Sequence, residues 1–188
     1  MRFLASLLVA LLFFNVGSSA QKKQELIAPA LNIDSVTKLI TYEGVLEVKG
    51  VDASTLYGRT EDWFNTFYKN PAEVIRENDS VKLRITGKPR FKISNPADKS
   101  GLRTDAGVVQ YTITVVAREG RFRYEISEFN WKQNSYYPCE RWLDKSSQSW
   151  LPAYYDYLGQ IDITANQVIK ELHKALSVAK SQKNREDW

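Results

Sequence analysis

Side chains that catalyse or bind metals are scarce in this chain of 188 residues, which has one cysteine, Cys139, and one histidine, His173. A lone cysteine cannot close an internal disulfide, and one distant histidine is a poor basis for a nucleophilic pair or a zinc site. Glycine and proline are also sparse, at 9 and 6 residues, and no Gly-rich phosphate loop, nucleophile elbow or Walker pattern occurs. The sequence therefore predicts no metal, no cofactor and no catalytic residue. Neither charge dominates, with 26 Lys and Arg against 22 Asp and Glu. There is one long apolar run, Phe3 to Val16, which is short for a membrane span. Preceded by Arg2 and followed by Gly17-Ser18-Ser19-Ala20, it predicts a signal peptide over residues 1–20, cut before Gln21. No cysteine follows it, so neither a lipoprotein nor a transmembrane anchor is expected, and the mature chain is expected to be exported. Loss of Arg2 takes the net charge from +4 to +3, a weak attraction for polyanions, and export argues against a nucleic-acid partner.

What is present is a strongly patterned stretch from Val81 to Lys132. Val81, Leu83, Ile85, Phe91 and Ile93 alternate with Lys82, Arg84, Thr86, Lys88, Arg90 and Lys92. Val108 to Arg118 and Arg121 to Lys132 read as a hairpin about Glu119-Gly120. Beyond Ile126 the apolar residues Phe129 and Trp131 fall on the opposite beat, which predicts a bulge near Ser127-Glu128. Ahead of this lie a mobile lead-in over 21–36, a strand from Leu39 to Val48 and a short strand from Val74 to Arg76. Between the two strands, Asp52 or Ser54 caps a helix whose stripe is Leu56, Thr60, Trp63, Phe64 and Phe67, closed by Asn70-Pro71. Asn78-Asp79-Ser80 forms a glycosylation sequon by composition alone. Ser94 to Ala106 is a polar loop, and 133–159 is an aromatic insert with a short helix expected near Glu140 to Lys145. A final amphipathic helix from Ile161 to Ser181 precedes a charged tail over 183–188.

This order predicts one α+β domain over 37–182: a curved antiparallel sheet of about five strands with two helices on one face. Thr41 to Leu46, Leu56 to Phe64, Val74-Ile75 with the strand up to Gly87, and Tyr111-Thr112-Ile113 with Arg123-Tyr124 together carry a resemblance over Leu39 to Lys132. On these residues the chain resembles a family of secreted bacterial proteins, mainly from Bacteroidetes, with a domain of unknown function and a TBP-like fold. The resemblance implies the fold, and a periplasmic or secreted location. That family has no established activity, so no site residue follows from it.

Four features compete as sites. Lys82, Arg84, Lys88, Arg90, Lys92 and Arg123 predict a sheet face for an anionic partner such as an envelope protein or glycan. Tyr136, Tyr137, Trp142 and Trp150 predict an aromatic surface that stacks on a ligand. Glu43 and Glu47 read either as a carboxylate pair of a glycan hydrolase or as ion-pair partners of Arg121 and Arg123 across the sheet. In a helix-grip carrier of an apolar ligand, Trp63, Phe67, Tyr111, Tyr124 and Leu172 would line a cavity. The reading that follows is a non-enzymatic binding module, with the carrier and the hydrolase as alternatives.

Overall fold

The structure, a computed structural model, describes residues 28–132 and 135–177. Its strands are β1 (Tyr42–Glu47), β2 (Ile75–Asp79), β3 (Arg84–Gly87), β4 (Arg90–Ser94), β5 (Asp105–Arg118), β6 (Arg121–Lys132) and β7 (Tyr136–Pro138). Its helices are α1 (Ala53–Phe67), the single turn α2 (Pro71–Val74) and α3 (Ala153–Ser177), with a 3₁₀ turn over Cys139–Leu143. All strand pairs are antiparallel. At the hairpin end the order is β1-β6-β5-β3-β2; at the open end β4 joins β5 and β7 joins β6. This is the expected α+β sheet with helices on one face. It has seven strands rather than about five, because the pattern from Val81 to Ile93 does not form one strand and the insert contributes β7.

The hairpin of β5 and β6 is the spine. Arg118 pairs with Arg121 across the Glu119-Gly120 turn, and the ladder runs to Val108 opposite Lys132. The expected bulge is present: Gln110 faces Asn130 but Thr112 faces Ser127, and Glu128 has φ 56°. The extra residue turns Phe129 inward, where it is buried under Tyr111 with ring centroids 5.7 Å apart.

Val81 is not in a strand. The Asp79 carboxylate accepts the N–H groups of Val81 (3.0 Å) and Lys82 (2.9 Å), and Leu83 follows with φ 52°. Val81 is thereby turned out, 92% exposed. The same device recurs at Asp34-Ser35-Val36, where Asp34 accepts from Val36 (3.0 Å) and Thr37 (2.6 Å) and Lys38 has φ 62°. A side-chain acceptor that reproduces a backbone turn is what aspartate offers at such sites. Of the expected lead-in, residues 28–36 are described and tied to the domain: Asn32 accepts from Thr41, and Asp34 donates to Leu39, each at 2.9 Å. The expected signal peptide, residues 21–27 and the expected charged tail lie outside the described residues.

α1 starts as expected, with Asp52 accepting from Thr55 N–H at 2.8 Å. Leu56, Thr60, Trp63 and Phe64 face the sheet, and the Thr60 hydroxyl is satisfied by Leu56 O at 2.8 Å. Gly87 on β3 lets α1 approach, since a Cβ there would lie 2.7 Å from the Phe64 ring. Gly44 does the same for Tyr124 opposite it on β6: a Cβ would lie 2.7 Å from the phenol oxygen. α3 begins at Ala153 rather than Ile161, and takes Tyr154, Tyr155 and Tyr157 out of the expected insert. Its buried stripe continues through Leu158, Ile161, Ala165, Val168, Leu172 and Leu176. The sequon residue Asn78 lies on edge strand β2, and its amide is held by the Tyr57 hydroxyl and by Glu61 at 2.7 Å. Among the described residues no helix is long and apolar enough to cross a membrane.

Candidate anion-binding face

Both long helices cover the same face of the sheet, so the other face holds the exposed side chains. Strand register arranges them in bands. One band runs Arg84, Val116, Arg123, Val45 across β3, β5, β6 and β1; the next runs Thr86, Thr114, Glu125, Glu43. Neighbouring bands neutralise each other diagonally. Arg123 bonds Glu43 at 2.7 Å and Glu125 at 3.5 Å, and Arg84 bonds Glu77 at 2.5 Å.

The expected basic row is therefore not one patch. Lys82 sits on the Asp79 turn with that carboxylate 3.4 Å away, Lys88 pairs with Glu128 at 3.3 Å, and Lys92 pairs with Asp105 at 3.8 Å. Arg84 lies opposite Val116 and Arg90 opposite Gln110, six residues along β5, so the two are about 20 Å apart. Arg90 belongs instead to a hollow of about 180 Å³ with Tyr68, Val74 and Pro89. Five of the six expected cations carry a carboxylate; Arg90 alone has none among the described residues.

At the hairpin end two arginines stand without an ion pair among the described residues; the carboxylate of Glu47 lies opposite Arg121 on β1 but bonds Lys49 instead. Arg118 and Arg121 are directly opposite each other, and neither forms an ion pair among the described residues. The Arg118 guanidinium is fixed by two backbone carbonyls, Lys82 O at 3.0 Å and Ala117 O at 2.9 Å, which orient it without cancelling its charge. With Arg123 and the valines Val45 and Val116, the two arginines form a cleft of about 430 Å³. Val45 is 60% exposed there, an apolar side chain left in water on a charged face. Like charges directly opposite in a sheet are unfavourable, so an anion seated between them removes a cost that the folded chain carries alone. Arg118 did not figure among the expected site residues. Its signal was readable, because the two positions flanking a two-residue hairpin turn always face each other.

The Glu43 and Glu47 expectation holds for one pair. Arg123 takes Glu43, but Glu47 lies opposite Arg121 and bonds the exposed Lys49 at 3.8 Å. The described carboxylates whose pKa is displaced move down: Asp34, Asp52, Asp79, Asp98, Glu128 and Asp144 accept hydrogen bonds from hydroxyl or backbone donors.

Trp142 corrects the aromatic surface, because it is fully buried. It stacks on Tyr154 at 5.4 Å, meets Trp131 edge-on at 5.4 Å, and its carbonyl accepts from Trp150 Nε1 at 2.9 Å. Trp150 is half-buried with Lys145 over its ring, Tyr137 has Arg141 over its ring at 5.2 Å, and only Tyr136 is exposed. These rings cap the open end of the core. Of the carrier residues, Leu172, Tyr111 and Tyr124 fill the core at 0, 3 and 9% exposed, whereas Trp63, 4% exposed, and the half-buried Phe67 stack at 5.0 Å and border an open hollow of about 410 Å³ between α1 and α3. The Tyr111 and Tyr68 hydroxyls pair at 3.3 Å, and burial pushes Tyr111 up to about 12. Cys139 is buried, which raises its thiol pKa. His173 lies against Phe122 and Tyr124, with Nε2 buried and no hydrogen-bond partner among the described residues. No group of three His, Cys, Asp or Glu among the described residues is placed to hold a metal ion.

The helix-backed antiparallel sheet defines an α+β domain of TBP-like fold. Residues 42–132 match the model of the family described as a domain of unknown function (DUF4468) with TBP-like fold. The structure is similar to that of a DUF4468 family protein from Bacteroides ovatus, with a TM-score of 0.63 and 15% identity over 82% of this chain and 94% of that one. It is also similar to a TBP-like protein from Parabacteroides distasonis, with a TM-score of 0.56 and 12% identity over 76% of this chain and 95% of that one. At such identities these structures share the fold alone. A search of curated proteins finds no match.

Proposed function

We propose that this is an exported, non-enzymatic binding module of the bacterial envelope or periplasm, which holds an anionic partner in the arginine cleft at the hairpin end of its open sheet face. One observation carries the reading: Arg118 faces Arg121 across the ladder, and neither is bonded to a carboxylate. Arginine forks suit carboxylate, phosphate and sulfate groups, which they bond in pairs. The apolar leader over residues 3–16 with its small-residue cut site supports export. A non-enzymatic role is supported by where the reactive side chains lie. Cys139 is inside the core with its thiol held protonated, and His173 is packed among aromatic rings.

An array of glycans and peptides, each with and without one anionic group, tests this. The chain is expected to retain anionic features, and the double variant Arg118→Gln/Arg121→Gln is expected to lose them, whereas Lys88→Gln/Lys92→Gln keeps them. Retention of neutral or cationic features, or an unchanged pattern in the arginine variant, overturns the proposal.

A further inference from the structure

The arginine cleft does not end at Arg123. That residue also lines a second hollow of about 270 Å³, bounded by the carboxylates of Asp34, Glu43 and Glu125 and the hydroxyls of Thr37, Thr41 and Ser127. Asp34, Thr41 and Glu43 in turn border a third hollow of about 450 Å³ at the Asn32–Ser35 segment. The three form one groove, whose floor on β6 from Arg121 to Ser127 is about 20 Å long. Each hollow is near or within the range of roughly 300–1,000 Å³ that holds a small ligand, and their sum fits an extended one.

Charge along this groove selects the ligand. One end offers two arginines that form no ion pair among the described residues, and the rest offers carboxylates interspersed with hydroxyls and bordered by Asn32. A polyanion gains at the arginines but then meets three carboxylates, Asp34, Glu43 and Glu125, against the single cation Arg123, and is repelled by the excess. A polycation meets the reverse. A neutral chain rich in hydroxyls with one acidic group at its end satisfies both regions, because carboxylates accept hydroxyl donors and present two oxygens to do so. Val45 and Val116 supply apolar contact for the C–H face of a sugar ring beside its charged substituent.

We propose, on the footing of the anion-binding reading above, that the groove takes an oligosaccharide carrying a single acidic group, with the acid between Arg118 and Arg121 and the neutral sugars along the carboxylates and hydroxyls of β1 and β6. The recognised chemistry is one anion joined to a polyol, not a run of anions.

Calorimetric titration of the chain at low salt with four probes tests this: xylotriose, xylotriose bearing one 4-O-methylglucuronate, trigalacturonate and a tetraglutamate peptide. The singly acidic oligosaccharide is expected to bind at least about tenfold more tightly than xylotriose or trigalacturonate. Arg121→Gln is expected to bring it down to the xylotriose level, and Glu43→Gln/Glu125→Gln to raise trigalacturonate severalfold by removing the repulsion. Tighter binding of trigalacturonate or tetraglutamate than of the singly acidic glycan, lost in Arg121→Gln, overturns this inference and leaves the anion-binding module standing. If the singly acidic glycan binds as tightly to Arg121→Gln, the inference falls. If no probe shows binding that depends on Arg121, both readings fall.

Discussion

The two faces of the β5–β6 hairpin are made by alternate residues of the same strands, yet they obey different rules. On the covered face Ile113, Val115, Phe122 and Ile126 are 0 or 1% exposed, and each has one place to be. On the open face Thr112, Thr114, Arg123 and Glu125 are held by diagonal ion pairs and hydroxyl contacts that tolerate exchange. Burial of a large apolar side chain contributes roughly 1.5–3 kcal/mol, whereas an exposed ion pair contributes about 0–1 kcal/mol. Stability therefore resides on the covered face. The open face can hold an unfavourable pair such as Arg118 and Arg121 because its cost is small against the core.

Breaking the covered face gives the largest effect. Phe64→Ala removes a fully buried ring that packs on Gly87 and on Trp63 at 5.0 Å, and is expected to cost about 3–5 kcal/mol in chemical unfolding. A loss under 1 kcal/mol would mean that α1 is not seated on the sheet as described. Next comes Gly44→Ala, which sets a methyl 2.7 Å from the Tyr124 oxygen and is expected to cost about 1–3 kcal/mol. Tyr124→Phe in the same chain removes that oxygen, so the double variant is expected to recover part of the loss. Additive effects in that cycle would show that the ring and the glycine do not touch.

The covered face also carries a pH dependence through His173. Burial holds its pKa below the ordinary 6.5, because the imidazolium is disfavoured against Phe122 and Tyr124. The unfolded chain takes up this proton near pH 6.5 and the folded chain does not. Stability is thus expected to fall as pH drops below 6.5, to level once the folded histidine also protonates, and to gain nothing from this group above neutrality. Melting temperatures at pH 7.5, 6.5 and 5.5 should show this slope in the native chain and not in His173→Phe. The hydrogen-bonded carboxylates, whose pKa values are lowered, act only in more acid solution.

The difference between the faces also explains what could be read in advance. Alternation from Val108 to Lys132 and the turn residues Glu119-Gly120 made the hairpin legible, and the change of beat at Phe129 made its bulge legible. Val81 misled because it keeps the strand alternation while Asp79 folds the backbone around it. The parallel turn at Asp34-Ser35-Val36 shows that Asp followed by Ser-Val is the stronger cue in this chain. The start of α3 was hidden because Tyr154, Tyr155 and Tyr157 read as an aromatic loop until Trp142 and Trp131 are brought beneath Tyr154 and Tyr157, and Trp150 against Tyr155. On the open face, which cations are neutralised depends on register between strands far apart in sequence. Composition could not separate Arg123, which is paired, from Arg121, which is not.

The smallest effect sharpens the comparison most, because its sign is opposite to that of every change on the covered face. In a Glu47→Gln background, which takes away the carboxylate opposite it on β1, Arg121→Gln removes one of two like charges that face each other and is expected to stabilise the chain by about 0.2–1 kcal/mol at low ionic strength. Since the charges are exposed, the gain should fade at 1 M salt, where the screening length is about 3 Å. Arg123→Gln, one pair further along the same strand, breaks bonds to Glu43 and Glu125 and is expected to lower stability slightly under the same conditions. Melting curves of the two variants at low and high salt measure this directly. If Arg121→Gln is destabilising at low salt, the guanidinium is already compensated by a group of this chain, and the cleft has no unmet charge to offer a ligand.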